Sequence, residues 1–228
     1  MALTRVTKTG NITVDGNVGI SELNPSHKLH INGGSNDEAR VRVTNTANGQ
    51  ASLDLNNSEG YFRTYTDAGE YRIYDQTDGV HRFVIDTEGR VTMPNQPCFS
   101  AILGSHVNAS NYLTGWTAQT NVGSHFNAGT GTFTAPVTGE YYFYVSVMRS
   151  TNDSGDYSVQ IKKNSATVRL SNDMVNGAYV TFMQTTVPCI LSLAGNDAVR
   201  FYVGNTAGVT TSYAYQGTYT HCAGYLLG

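Results

Sequence analysis

Two aspartates in one polar segment could bind a cation. Asp153 and Asp156 lie in the run TNDSGD, residues 151–156. Carboxylate oxygens are the ligands that calcium takes in flexible loops. Aspartate and glycine are equally typical of ordinary turns, so a turn without an ion is the alternative interpretation. We therefore expect no cofactor, with calcium at this pair as the one candidate.

Hydrolytic chemistry finds little support in the sequence. A glycoside hydrolase needs two carboxylates in one cleft, and the chain beyond residue 97 has few acids to supply them: Glu140, Asp153, Asp156, Asp173 and Asp197. Neither a Ser/His/Asp arrangement nor a phosphate-binding glycine loop is visible. We expect a protein that is not an enzyme, with a polysaccharide depolymerase as the less favoured alternative.

Aromatic side chains in predicted loops could stack on sugar rings and so bind a receptor. Burial in the core or in an interface between copies is the competing interpretation, because aromatic residues dominate the energetics of both. Tyr213 and Tyr215 alternate along the chain, so a strand would place them on one face. The candidate residues are Tyr112, Trp116, Tyr179, Tyr213 and Tyr215.

The composition is that of a β-rich protein with few charges. Charged residues make up 14% of the 228 residues, and there are 24 glycines and 15 tyrosines. The net charge is −3, with no basic patch, so nucleic acid is not an expected partner. No apolar run is long enough to span a bilayer, so we expect no membrane insertion. Three widely spaced cysteines predict reduced, apolar thiols rather than a metal site.

The sequence PNQP at residues 94–97 marks a predicted domain boundary. Two prolines so close together interrupt any strand, and the composition changes there from charge-rich to aromatic-rich. We divide the chain into residues 1–20, 21–97 and 98–228. These are expected to be an attachment segment, a β-rich shaft and a globular head.

Alternating short runs in the shaft predict β-strands separated by tight turns. The sequence Asp78-Gly79 between two such runs is typical of a hairpin. The predicted strands are residues 40–44, 52–56, 61–65, 71–74 and 81–85. So few large aliphatic residues make a poor core for one copy. We therefore expect three copies to bury these strands around a common axis.

The head is predicted to be a sandwich or jelly roll of short strands, because no helical periodicity is present. The expected strands are residues 99–103, 131–134, 140–148, 157–162, 179–187, 198–203 and 220–227. The segment FNAGTGTFTAPVTGEYYF, residues 126–143, closely resembles the signature of C1q/TNF-like domains. Three further segments resemble that family in the same order: FSA at 99–101, LSLAGNDAV at 191–199 and CAGYLL at 222–227. The resemblance implies a ten-stranded jelly roll that forms homotrimers.

A second resemblance concerns the N-terminal part of the chain. The segments GNVGI at 16–20, NPSHKLHI at 24–31 and FVIDTEGRV at 83–91 resemble repeats of phage tail-fibre and tailspike shafts. The opening LTRVTKTG, residues 3–10, is similar to the start of phage structural proteins. By that analogy Leu3, Arg5 and Val6 would anchor the chain to other virion proteins.

Together the two resemblances imply an all-β phage fibre or adhesion protein, with a trimeric stalk and a C1q/TNF-like head. The expected partners are two further copies, other virion proteins, and a host surface glycan or outer-membrane receptor. A structural head fibre or capsid-decorating trimer without receptor specificity is the alternative. In either case the protein would be assembled in the host cytoplasm and exposed on the surface of the virion.

Overall fold

The protein is built from β-strands. The computed structural model describes residues 18–20, 27, 29–31, 38–47, 49–108, 110–150, 155–175, 182–205 and 213–228. All regular secondary structure in these ranges is β, which confirms the all-β prediction. None of the described residues forms a helix that could cross a membrane.

Two short strands pair in parallel near the start of the described chain. They are β1 (Val18–Ile20) and β2 (Leu29–Ile31), with Gly19 opposite His30. Both strands belong to the segments that resemble phage shaft repeats. The remaining shaft strands form a separate sheet.

A five-stranded antiparallel sheet follows, in which each strand pairs with the next along the chain. Its strands are β3 (Ala51–Asn56), β4 (Tyr61–Asp67), β5 (Glu70–Asp75), β6 (Val80–Ile85) and β7 (Val91–Thr92). Gly79 has φ 70° in the turn between β5 and β6, a conformation that glycine adopts without strain. The Asp78-Gly79 hairpin signal was therefore correct.

The predicted strand at residues 40–44 is absent. Residues 38–47 contain no strand, and Val41 and Val43 are exposed. Their alternation matches a strand, but a strand also needs a hydrogen-bonding partner. β3 is the outermost strand of the sheet, and its free edge pairs with no described strand.

The five-stranded sheet has one apolar face and one charged face. Leu53 and Leu55 are 56% and 61% exposed. The other apolar members of this face are Phe62, Tyr71, Ile73, Phe83, Ile85 and Val91, and Thr64, Thr66 and Asp75 share it. On the opposite face, the Arg63 guanidinium contacts the Asp54 carboxylate at 2.7 Å. The apolar face is thus left open to solvent in a single copy.

The described part of the head contains thirteen further strands. They are β8 (Cys98–Leu103), β9 (Val107–Asn108), β10 (Asn111–Tyr112), β11 (Trp116–Val122), β12 (Phe126–Asn127), β13 (Thr132–Thr134), β14 (Gly139–Ser150), β15 (Gly155–Lys163), β16 (Ala166–Val175), β17 (Phe182–Leu193), β18 (Ala198–Asn205), β19 (Tyr213–Ala214) and β20 (Gly217–Leu226). The larger sheet has the order β11-β8-β20-β14-β19-β9, with β17 also paired to β14. The smaller sheet has the order β12-β13-β18-β15-β16, with β10 also paired to β18.

The two sheets enclose the hydrophobic core of the head. Phe143 and Val145 of the larger sheet and Ile161 and Phe201 of the smaller sheet are all fully buried in one cluster. Phe133, from the segment that resembles the C1q signature, is also buried there, and its ring centroid lies 5.4 Å from that of Phe143. The predicted sandwich is therefore confirmed.

Sequence patterns predict seven of the thirteen described head strands and miss six. The missed strands are the long β11 and β16 and the short β9, β10, β12 and β19. The strand expected at 179–187 is β17, Phe182–Leu193. β17 alternates strictly between exposed and buried residues to its end. Pro188 lies opposite Tyr144 within β17, and a proline is compatible with a strand that has a partner on one side only.

Candidate functional site

The outward face of the larger sheet is a broad surface of aromatic and aliphatic side chains. Tyr142 lies directly between Ile190 of β17 and Tyr225 of β20. Ile190 is 53% exposed and Tyr225 is 44% exposed. Odd-numbered residues of β14 fill the core, so the alternation of the strand forces its even-numbered residues outward. We call this surface the aromatic face.

A second row of the aromatic face lies alongside the first. Tyr144 is flanked by Pro188 and Ala223. The Tyr144 hydroxyl and His221 Nε2 are hydrogen-bonded. A shallow cleft of about 350 Å³ opens beside this pair, lined in part by Ile102. The polar groups of this row therefore have partners within one copy.

The aromatic face carries little charge. Glu140 lies at one end, where its carboxylate accepts a hydrogen bond from the Ser192 hydroxyl. The buried cores of protein interfaces are depleted in charged residues and enriched in tyrosine. The chemistry of the face is accordingly suited to contact with another protein surface.

Three cysteines lie beneath or beside this face. Cys98, Cys189 and Cys222 are all free thiols. Burial raises the pKa of Cys189 to about 11 and raises that of Cys222 well above its usual value. Neither thiol is a nucleophile near neutral pH, because the thiolate is the reactive form.

The outward face of the smaller sheet carries a second cluster, made of two cations and two tyrosines. Tyr112 of β10 lies opposite Tyr202 of β18, and their ring centroids are 5.3 Å apart. Arg200 Cζ lies 3.8 Å from the Tyr112 ring centroid, and Lys162 Nζ lies 4.0 Å from that of Tyr202. We call these four residues the cation–tyrosine cluster.

Of the sugar-stacking candidates, Trp116 lies in the core. It begins strand β11 rather than lying in a loop, and it is only 6% exposed. Its indole N–H donates a hydrogen bond to the Leu113 carbonyl at 2.9 Å. The prediction of Trp116 in a loop was wrong, because the β11 strand had not been recognised. The alternative interpretation, burial, is what the structure shows.

Tyr215 belongs to a third aromatic group. Its ring centroid is 4.5 Å from that of His106, 5.4 Å from that of Phe182 and 5.5 Å from that of Tyr219. Tyr213 lies in β19, but that strand ends at Ala214, before Tyr215. The Tyr215 N–H still donates a hydrogen bond to the Met148 carbonyl of β14 at 2.7 Å. The expectation that Tyr213 and Tyr215 share one strand face stays a prediction, because the side chain of Tyr213 lies outside the described structure.

Several predicted site residues lie outside the described structure. Tyr179, Asp153 and the anchoring candidates Leu3, Arg5 and Val6 are outside the described residues. Tyr213 and Asp156 are described by their backbone strands only. The calcium and anchoring predictions therefore stay predictions. Within the described part of the chain, no three His, Cys, Asp or Glu side chains are grouped to hold a metal ion.

The comparisons with known proteins agree with this architecture. The C1q domain model matches residues 98–227. The chain belongs to the C1q domain family. C1q/TNF-like domains typically form homotrimers and are typically binding modules without enzymatic activity. No curated protein matches the sequence.

Two solved structures are similar to part of this chain. The globular domain of zebrafish complement 1qA protein is 20% identical, with a TM-score of 0.45, and the match covers 58% of this chain and 98% of that one. Eiger TNF from S. frugiperda is 17% identical, with a TM-score of 0.46, covering 58% of this chain and 94% of that one.

Of the residues that make the two surfaces of the head, the sequence predicted only Tyr112 as a candidate binding residue. Tyr142, Tyr144 and Tyr225 were recognised as strand residues but not as an exposed face. Lys162 and Arg200 belong to strands that are distant in sequence, so the sequence alone does not place them together. The alternation of β14 and of β18 was the available signal, since it separates core residues from outward ones.

Proposed function

We propose that this protein is a homotrimeric fibre or adhesion protein of a bacteriophage virion. The C-terminal head contacts the host cell surface, through a glycan or an outer-membrane receptor. The N-terminal segment anchors the fibre to the particle, so the protein is exposed on the virion surface. The strongest support is the aromatic face of the larger sheet.

Burial of the aromatic face explains its composition. In one copy, Ile190 and Tyr225 expose much of their apolar surface to water, which costs about 25 cal/mol per Å². Packing against a second copy removes this cost. A three-fold arrangement lets each head bury this face without leaving an open end, since a closed ring satisfies every copy equally.

The shaft supports the same arrangement independently. The apolar face of the five-stranded sheet includes Leu53, Leu55 and Phe62, all exposed in a single copy. A sheet with one apolar face must bury that face against another element. Three such sheets, packed with their apolar faces around one axis, form a core that a single copy lacks.

Trimerisation suits attachment to a cell surface. Three identical heads on one fibre bind neighbouring receptors together, which raises the apparent affinity by orders of magnitude over that of one head. A weak site on each head is then sufficient for attachment.

Competition for adsorption tests this function. Immunogold labelling locates the protein on the virion. Adsorption of virions to host cells is then measured with and without purified full-length protein. We expect labelling on fibres or spikes, and lower adsorption in the presence of the protein. Labelling on the particle with undiminished adsorption would contradict receptor contact and favour the structural trimer.

An enzymatic role is tested separately. Host envelope polysaccharide is incubated with the purified protein, and newly formed reducing ends are measured. We expect none, because an attachment protein leaves its receptor intact. A steady release of reducing ends would replace attachment with depolymerisation as the primary function.

A further inference from the structure

Two positive charges occupy directly opposing positions on the outward face of the smaller sheet. Lys162 of β15 and Arg200 of β18 are partners in the antiparallel pairing of these strands. Side chains at such positions lie within about 5.5 Å of each other at Cβ, and like charges there destabilise a sheet. A sheet that keeps this pair must gain something that offsets the repulsion.

The two tyrosines offset only part of the repulsion between Lys162 and Arg200. Arg200 and Lys162 are placed over the rings of Tyr112 and Tyr202. A cation over an aromatic ring gains roughly 0.5–1 kcal/mol at an exposed site. The contact leaves the net charge of the cluster at two positive charges.

No carboxylate in the described structure neutralises these two cations. The outer cross-strand neighbours are Thr132 beside Arg200 and Thr167 beside Lys162. Lys163, the residue after Lys162, does have a carboxylate partner, because its ammonium contacts the Asp197 carboxylate at 2.8 Å. Arg200 donates from Nη2 to the Thr130 carbonyl, but its Nε is buried without a hydrogen-bond partner in the described structure.

A polar cleft lies beside the cluster. It has a volume of about 440 Å³, and its lining includes Tyr112 together with Ser105, Asn108 and Thr114. Hydroxyl and amide groups of this kind exchange hydrogen bonds with sugar hydroxyls. Tyr112 is thus shared between the cleft and the cation–tyrosine cluster.

We propose that the cation–tyrosine cluster binds a sugar ring that carries an anionic group, a carboxylate or a phosphate. The anion lies between Lys162 and Arg200, where it relieves their repulsion. The ring packs against Tyr112 and Tyr202, and neighbouring sugars extend into the cleft. This inference rests on the proposed attachment function and names the chemistry of the receptor.

The position of the cluster fits that role. It lies on the smaller sheet, whereas the aromatic face lies on the larger sheet, on the other side of the core. Assembly through the aromatic face therefore leaves the cluster accessible on all three heads. Three weak anion sites on one fibre would then bind a polymeric glycan together.

Immobilised polysaccharides test the proposal with the full-length protein. Polygalacturonate presents carboxylates and phosphomannan presents phosphates, while methyl-esterified polygalacturonate and unphosphorylated mannan are their neutral counterparts. We expect binding to at least one charged polymer and at least tenfold weaker binding to its neutral counterpart. The charged polymer that is bound identifies the anionic group.

Charge-matched variants locate the site. Lys162→Gln and Arg200→Gln are expected to weaken binding about tenfold or more, as expected for the loss of a charge-assisted hydrogen bond. Lys162→Arg keeps the charge and is expected to retain binding. The control is Arg169→Gln, which removes the same charge from an exposed position on β16. Thermal melting of each variant confirms that it is folded.

Each unfavourable result has a distinct meaning. Lack of binding to both charged polymers, or equal losses in Lys162→Gln and Arg169→Gln, would overturn the site. If the wild-type protein still blocks adsorption in that case, the attachment function stands with a different receptor. If instead the site binds a charged polymer while the protein does not block adsorption, the attachment function fails and the site remains.

Discussion

Tyr142 and Tyr225 face each other across β14 and β20, with ring centroids 5.3 Å apart, on the outward face of the larger sheet. Their pairing places two aromatic rings beside Ile190 on one uncharged surface. A surface of this kind is expected at the centre of a subunit interface. The trimer proposed above depends on this arrangement.

Introducing a charge into the aromatic face is expected to separate the subunits of the head. Ile190→Glu would bury an unpaired carboxylate in the interface, at a cost of several kcal/mol per copy. Sedimentation velocity at micromolar concentration should show the loss of the trimer peak or a looser, more extended trimer held by the shaft alone.

The smaller sheet provides a matched control for that variant. Leu170 is 49% exposed in β16, so Leu170→Glu makes a similar change outside the proposed interface. It should sediment like the wild type. Equal behaviour of the two variants would mean that the aromatic face is not the interface.

Charging the apolar face of the shaft should loosen the shaft and spare the head. Leu55 lies opposite Phe62 on this face, so Leu55→Glu would put a carboxylate into the shared core of three sheets. We expect limited proteolysis to cleave the shaft at least tenfold faster, because local opening governs such cleavage. Asn56→Glu, on the opposite face of the same strand, should be cleaved at the wild-type rate. Equal protection of both variants would contradict the shared shaft core.

Gly131 is expected to tolerate no side chain. It has φ +66°, and a Cβ there would overlap the Leu113 carbonyl and crowd the Trp116 indole nitrogen. Gly131→Ala should therefore destabilise the head by about 3 kcal/mol or more, measured by chemical denaturation at fixed protein concentration. Gly217 has φ +76° with open space around it, so Gly217→Ala should cost only the backbone strain of roughly 1–2 kcal/mol. Equal losses of unfolding free energy in Gly131→Ala and Gly217→Ala would show that the tight packing around Gly131 does not contribute to stability.

Local sequence signals predicted the fold well where one strand or turn decides it. Gly79 marked a hairpin, and the segment containing Phe133 marked the C1q-like sandwich. The same signals failed where tertiary pairing decides. The alternation of Val41 and Val43 is as regular as that of Leu53 and Leu55, yet only the second pair lies in a strand with a partner.

The candidate sites were harder to predict than the fold. Trp116 was a candidate for sugar binding because the mixed composition of its strand is typical of a loop. Its ring is in fact buried in the core. Lys162 and Arg200 are 38 positions apart and become neighbours only through the register of β15 and β18. This register depends on which residues of each strand face the core. It can be predicted from a single sequence only once the order of the strands in the sheet is known.

Asp197 should make the head sensitive to acid. Its carboxylate accepts hydrogen bonds from Lys163, Asn164 and the Ala194 N–H, and the Lys163 ammonium is the main cause that lowers its pKa from 3.8 to about 2. A lowered pKa stabilises the fold above the unfolded value, and the stabilisation is lost as pH falls through the folded value. Wild type should therefore lose stability between about pH 4 and pH 2 through this group.

Replacement of the carboxylate isolates that contribution. Asp197→Asn should be less stable than wild type near neutral pH, and the difference in unfolding free energy should shrink as pH falls from about 4 to about 2. Glu59→Gln serves as the control, since Glu59 is exposed and has no ion pair within the described residues. A pH-independent difference for Asp197→Asn would show that its ionisation does not stabilise the fold.

The number of copies in solution is the most direct test of the proposed assembly. Sedimentation equilibrium of the full-length protein, at concentrations from nanomolar to micromolar, gives the mass without reference to shape. We predict a single species of three chain masses across that range, because both the aromatic face and the apolar face of the shaft would be buried together. A well-folded species of one chain mass at micromolar concentration would contradict the proposal.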